Sequence, residues 1–144
     1  MLQIEIDSIP IPWSPARVTS HGAFNPRGKQ KNFAIWMIRS KYNGPVIKDY
    51  VVLDFQFIFP IPNSVHISFH KRYLENIEFI PTACDCTNLQ KFYEDCLKKT
   101  IIDDDRNVVK ISSSKLYGEK GKILIKIWTW EEYRNEIAFG EHRR

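Results

Sequence analysis

Asp85 and the adjacent pair Asp104 and Asp105 are the side chains in this sequence best suited to hold a hard metal ion. Carboxylates gathered at one point repel one another unless a cation neutralises them. Mg²⁺, which takes one or two carboxylates together with water and phosphate oxygens, suits such a set. The chemistry this points to is metal-assisted hydrolysis of a phosphodiester, in which no histidine base is required. Spacing alone does not show that the three carboxylates converge; an antiparallel partner strand or a twisted sheet edge has to bring them together. Taken without their context, Asp103, Asp104 and Asp105 suit a solvated acidic turn better than a metal site. Cys84, Cys86 and Cys96 with His66 or His70 offer zinc as an alternative, but the spacing lacks a second close pair, which favours core cysteines.

Charge is distributed to match. Residues 1–50 carry Arg17, Arg27, Lys29, Lys31, Arg39, Lys41 and Lys48 against only Glu5, Asp7 and Asp49, whereas residues 85–105 hold six carboxylates against three lysines. A basic arm beside an acidic centre is the arrangement a phosphodiesterase needs, and the net charge of +4 permits an anionic partner without demanding one. The three cysteines are odd in number and crowded together, which argues against a disulfide framework and for a reducing, cytoplasmic setting. No apolar run reaches the ~20 residues of a membrane span, and Met1 to Ile9 lacks the order of a signal peptide.

The elements that must position these residues fit one domain, 1–144. Leu2, Ile4 and Ile6 alternate with polar residues as a half-buried strand, and Pro10, Pro12 and Pro15 end it. Ser14 to Lys31 reads as a long polar, basic loop, and Gln30 to about Tyr42 as a helix on which Phe33, Trp36, Met37 and Ser40 recur, stopped by Asn43, Gly44 and Pro45. Val51 to Phe59 is a strand closed by Pro60 and Pro62. Asn63 to Ile80 is irregular or helical. Val109 to Leu116 and Lys122 to Trp130 look like a hairpin turning through Tyr117 to Gly121, with Trp128 and Trp130 on one face as core or dimer packing. The tail from Glu131 to Arg144 reads as a short helix or a frayed end.

Asn88 to Lys99 is a helix whose buried stripe is Leu89, Phe92, Tyr93, Cys96 and Leu97. Its opposite face carries Lys91 and Asp95 as an i, i+4 ion pair. Thr87 stands where an N-cap belongs, with Gln90 completing a capping box. Cys84 and Cys86 fall on one side of an extended segment, with Asp85 on the other.

The run from Asp85 through Thr87, Asn88, Leu89 and Gln90 to Lys91, then Asp95, Cys96 and Leu97, then Asp104 to Val109, resembles the signature of the RusA family of Holliday-junction resolvases. That signature reads roughly D-x-D-N-L-x-K, D-A-L and D-D-x-Q-[IV]-V. Phe57 to Asn63, the basic pair Lys71 and Arg72, and the loop from Pro12 to Lys31 resemble the family's upstream segments, so the likeness covers nearly the whole chain. It implies a RusA-like α+β fold, a small mixed sheet packed against two main helices. It also implies a homodimeric endonuclease that binds four-way junction DNA and cuts it in pairs, in recombination and repair, in bacteria, phages or prophages.

The implied site follows residue by residue. Asp85, Asp105 and Lys91 are catalytic, with Lys91 near the scissile phosphate. Asp85 and Asp105 hold Mg²⁺, for which Mn²⁺ can substitute, and Asp104, or else Asp95 or Glu94, completes the metal shell. Arg17, Arg27, Lys29, Lys31, Lys71 and Arg72 track the DNA backbone, giving affinity that falls with salt. No organic cofactor and no membrane enter the reading. Thr87 departs from the pattern, standing where the family has its second catalytic aspartate, and Asn107 replaces the usual Gln. Thr87 therefore sustains an alternative reading, a junction-binding or general DNA-binding dimer with weakened cutting.

Overall fold

The computed structural model describes residues 1–14, 17–24, 26–79 and 84–138. Its centre is a four-stranded mixed sheet made of β1 (Leu2–Ile6), β4 (Val51–Pro60), β5 (Val108–Gly118) and β6 (Lys122–Thr129), in the order β1-β6-β4-β5. A separate two-stranded ribbon joins β2 (Arg17–Thr19) to β3 (Gly22–Phe24) inside the segment read as loop. Two helices pack on the sheet and on each other: α1 (Gly28–Lys41) and α3 (Cys86–Lys98). This is the α+β arrangement, a mixed sheet against two main helices, that the sequence led us to expect.

Alternation decides which way each strand faces. Ile4 and Ile6, then Leu53, Phe55 and Phe57, then Ile123, Ile125 and Ile127 all point to the helices and are buried. They meet Leu89, Phe92, Tyr93, Cys96 and Leu97, the stripe expected on α3. Phe57 stacks near Phe55 and Tyr93, with ring centroids 5.6 Å apart in both pairs. The other sheet face is open, with Asp54, Gln56, Leu124 and Lys126 half-exposed.

The expected hairpin of β5 and β6 is not formed. β4 lies between them, parallel to β5 and antiparallel to β6. Their connection, 119–121, must therefore cross the end of a strand and span two inter-strand spacings, about 10 Å, close to the limit for so short a link. Glycine makes the crossing possible: a Cβ on Gly118 would lie 2.8 Å from Cγ2 of Ile58, and one on Gly121 2.8 Å from Cα of Ile9. Turn residues between two alternating runs mark a reversal of direction, but they carry no information about a strand inserted between the arms.

Three local expectations also change. α3 starts at Cys86, capped by Asp85, whose Oδ1 accepts the Asn88 N–H at 2.8 Å. Thr87 is thus inside the helix rather than its cap, and Cys86 is helical rather than extended. Aspartate is at least as good a cap as threonine, and its charge also suits the positive end of the helix. Gln90 closes no capping box, because its Oε1 accepts from the Ser113 hydroxyl at 2.7 Å. Trp128 and Trp130 do not share a strand face: Thr129 ends β6 and caps the short α4 (Trp130–Tyr133) through a capping box. Both indoles instead pack on Tyr133.

The stretch 63–79 forms a 3₁₀ turn at Ile67–Phe69 and the short α2 (His70–Leu74). After α4 the chain continues as a π turn, Arg134–Ala138, and the rest of the expected tail lies outside the described residues.

Candidate nuclease site

Asp85 is exposed at the N-terminus of α3, fixed there by its cap bond to Asn88. Two lysines belong to this end of the structure, one touching the residue before Asp85 and the other on the second turn of α3. Lys115, from β5, donates to the carbonyl of Cys84 at 3.3 Å. Lys91, on the second turn of α3, places Nζ 3.5 Å from the centre of the Trp13 ring. Trp13 is itself held by its N–H donating to the carbonyl of Asn88 at 2.9 Å. The N-terminal segment thus lies along α3, with Ile11 N–H donating to the Tyr93 hydroxyl at 3.1 Å. Burial pushes the Tyr93 phenol far up, so it stays protonated.

Lys91 therefore does not make the expected pair with Asp95, which instead lies 3.7 Å from Lys31 on α1. An ammonium over an indole face is attracted and oriented by the ring. Neither Trp13 nor Lys115 carries a local signal in the sequence. Each reaches the site only through tertiary packing.

The other acidic group sits past the opposite end of α3. Ile101 and Ile102 are buried and anchor the exit, and Asp104 then caps a 3₁₀ turn at Asp105–Asn107. Asp104 accepts from the Arg106 N–H at 2.9 Å and from its guanidinium at 2.8 and 3.1 Å. Those bonds hold the Asp104 carboxyl well below the usual carboxylate range. Asp105 lies 3.7 Å from Lys98, the last residue of α3. Glu94 is pushed up by burial first and then by the neighbouring charges of Asp105 and Asp95.

The Asp104–Arg106 pair fixes a sign for pH dependence. A carboxyl whose folded pKa is lowered contributes stability that is present above its unfolded value and is lost as pH falls through the folded one. Arg106→Gln is expected to melt below the wild type at neutral pH. That gap should close as pH drops below the ordinary aspartate value of about 3.9. Thermal melts across that range check it, and a gap independent of pH would contradict the assignment.

Asp85 and Asp105 thus bracket a helix of 13 residues, about 20 Å at 1.5 Å per residue. Among the described residues no group of three or more His, Cys, Asp or Glu side chains comes close enough to hold a metal ion. A single chain does not bring Asp85, Asp104 and Asp105 together, so the three do not share one Mg²⁺ ion within it. Cys96 lies in the core, as its place on the stripe implied, and burial pushes its thiol up to about 12.

The basic residues separate into two groups. Lys71 and Arg72 belong to α2, where Lys71 lies 3.8 Å from Glu75 and Arg72 pairs with Glu78 at 2.9 Å. Arg17 is on the exposed β2, Arg27 caps α1, and Lys29 and Lys31 lie on its first turns. No acidic residue occurs anywhere from Ser8 to Lys48.

A family model described as Endodeoxyribonuclease RusA matches residues 15–128. The chain belongs to the RusA endodeoxyribonuclease family. The matched span takes in the basic β2–β3 ribbon and α1, both ends of α3 and all of β5, so every RusA signature residue identified above lies inside it. Membership implies endonuclease action on Holliday junctions, and RusA-family nucleases generally depend on a divalent metal. Comparison with curated protein sequences returns no match. No helix among the described residues is long and apolar enough to cross a membrane.

Proposed function

We propose that this RusA-family chain is a Mg²⁺-dependent endodeoxyribonuclease, able to use Mn²⁺, that acts as a homodimer. It binds four-way junctions and resolves them by paired cuts, in recombination and repair in a bacterial or phage-infected cytoplasm. The observation that carries the reading is the family match spanning both acidic motifs together with the acid-free basic arm. On this reading each catalytic centre draws on two copies. A two-fold axis crossing α3 would set Asp85 of one copy beside Asp104 and Asp105 of the other, which the length of α3 prevents within one chain.

The chain's own residues then have defined tasks. Lys91 and Lys115 offset negative charge on a phosphate held at Asp85. Trp13 keeps Lys91 aimed there. Arg17, Arg27 and Lys29 hold the DNA backbone, with Lys31, Lys71 and Arg72 contributing once released from Asp95, Glu75 and Glu78. One observation favours a second reading, a junction-binding dimer with weakened cutting: Thr87 is exposed on the first turn of α3, where the family has a carboxylate.

Asp85 substitutions separate its two duties. Asparagine caps a helix as well as aspartate does. Asp85→Asn is therefore expected to keep the cap and lose at most the dipole's share of stability, about 0.3–1 kcal/mol, while losing roughly 100-fold or more in cutting of a four-way junction. Asp85→Ala should lose cutting and about 1 kcal/mol of stability as well. Full cutting by Asp85→Asn would remove Asp85 from the site.

A further inference from the structure

The helical spacing of Phe33 and Trp36 on α1 suggests burial, yet the structure turns the helix the other way. Ala34 and Ile38 are buried toward α3 and β1, while Trp36 is 63% exposed and Phe33 48% exposed. Their rings are neighbours at i, i+3, with centroids 6.3 Å apart and planes tilted by 31°. Lys29 precedes them on the same stripe, and Arg39 follows one turn later, its guanidinium donating to the carbonyl of Lys99 at 3.4 Å and meeting no carboxylate among the described residues. α1 contains no acidic residue.

We propose that Phe33 and Trp36, flanked by Lys29 and Arg39, form a stacking platform for unstacked nucleotides on branched or single-stranded DNA. The choice of DNA rests on the junction-nuclease reading above; the platform adds to it a determinant of substrate shape. Charge selects the occupant. A second copy seated on this face would bring two acid-free basic surfaces together, which like-charge repulsion opposes. A polyanion meets those same cations favourably, and bases offer flat faces to the two rings. Continuous duplex keeps its bases stacked and offers the rings nothing. A branch point or a single strand exposes them. Because α1 is packed on α3 and β1, the platform is presented on a rigid element rather than on a loop.

Binding of the full chain to a labelled four-way junction, an oligo(dT) strand and a linear duplex, read by fluorescence anisotropy, tests this. Trp36→Ala is expected to weaken junction and oligo(dT) binding by about tenfold, and duplex binding by less than about twofold. Its salt dependence should be unchanged, since no phosphate contact is removed. Trp36→Phe should retain most of the binding. Equal weakening on all three DNAs, no change on any, no binding by the wild type, or a fall from dimer to monomer mass in Trp36→Ala would each overturn the platform. If the wild type binds oligo(dT) through Trp36 but neither prefers nor cuts junctions, the nuclease reading fails and the platform stands. If it cuts junctions and Trp36→Ala binds all three DNAs like wild type, the platform alone fails.

Discussion

Mixing an Asp85→Asn chain with an Asp105→Asn chain is expected to restore junction cutting that neither variant supports alone. Asp85 caps the start of α3 and Asp105 lies against its last residue, so in one chain they belong to opposite ends of a helix about 20 Å long. If each centre takes Asp85 from one copy and Asp105 from the other, the mixed dimer contains one doubly substituted centre and one intact centre. It should nick one strand at about half the wild-type rate per dimer, roughly 50-fold or more above either homodimer. If each centre is built within a single chain, every centre in the mixture carries a substitution and no activity returns. Both side chains are exposed, so neither substitution threatens the core. Mn²⁺ binding followed by electron paramagnetic resonance gives the same contrast without catalysis: one ion site regained per mixed dimer, against none.

Thr87→Asp is expected to raise cutting by about tenfold or more. Thr87 is exposed two residues beyond Asp85, on the turn of α3 that begins the acidic motif. A neutral hydroxyl is a far weaker ligand for Mg²⁺ than a carboxylate. An aspartate in the first turn of a helix also favours the dipole by about 0.3–1 kcal/mol, so stability should not fall. Single-turnover nicking at several Mg²⁺ concentrations reads the effect, with the gain largest at low metal. Unchanged rates at every concentration would mean that the chain completes its centre without a carboxylate at this position.

What was legible in the sequence was whatever depends on local periodicity. The α3 stripe from Leu89 to Leu97, the strand at Val51 and the alternating Ile123, Ile125 and Ile127 all fold as their spacing indicates. The insertion of β4 between β5 and β6 was not legible, because the turn residues at 118–121 look alike whether the arms pair or part. Nor was the orientation of α1: small Ala34 and Ile38 fill the space against α3, and the larger Phe33 and Trp36 are left outside.

The site shows the same division. Its residue types lie in one contiguous signature, but the partner of Lys91 is Trp13 rather than Asp95, because the N-terminal segment is fastened along α3 by bonds to Asn88 and Tyr93. The separation of Asp85 from Asp105 follows from an unbroken helix between them. No pattern within the signature shows that the two carboxylates lie beyond opposite ends of that helix.

The most direct test of the account is the position of the cuts on a four-way junction labelled in turn on each strand, in Mg²⁺ and in EDTA. The account predicts metal-dependent nicks at symmetric positions on two opposed strands, with linear duplex left intact. Tight junction binding without nicks in any divalent metal, or cutting of duplex and junction alike, would contradict it.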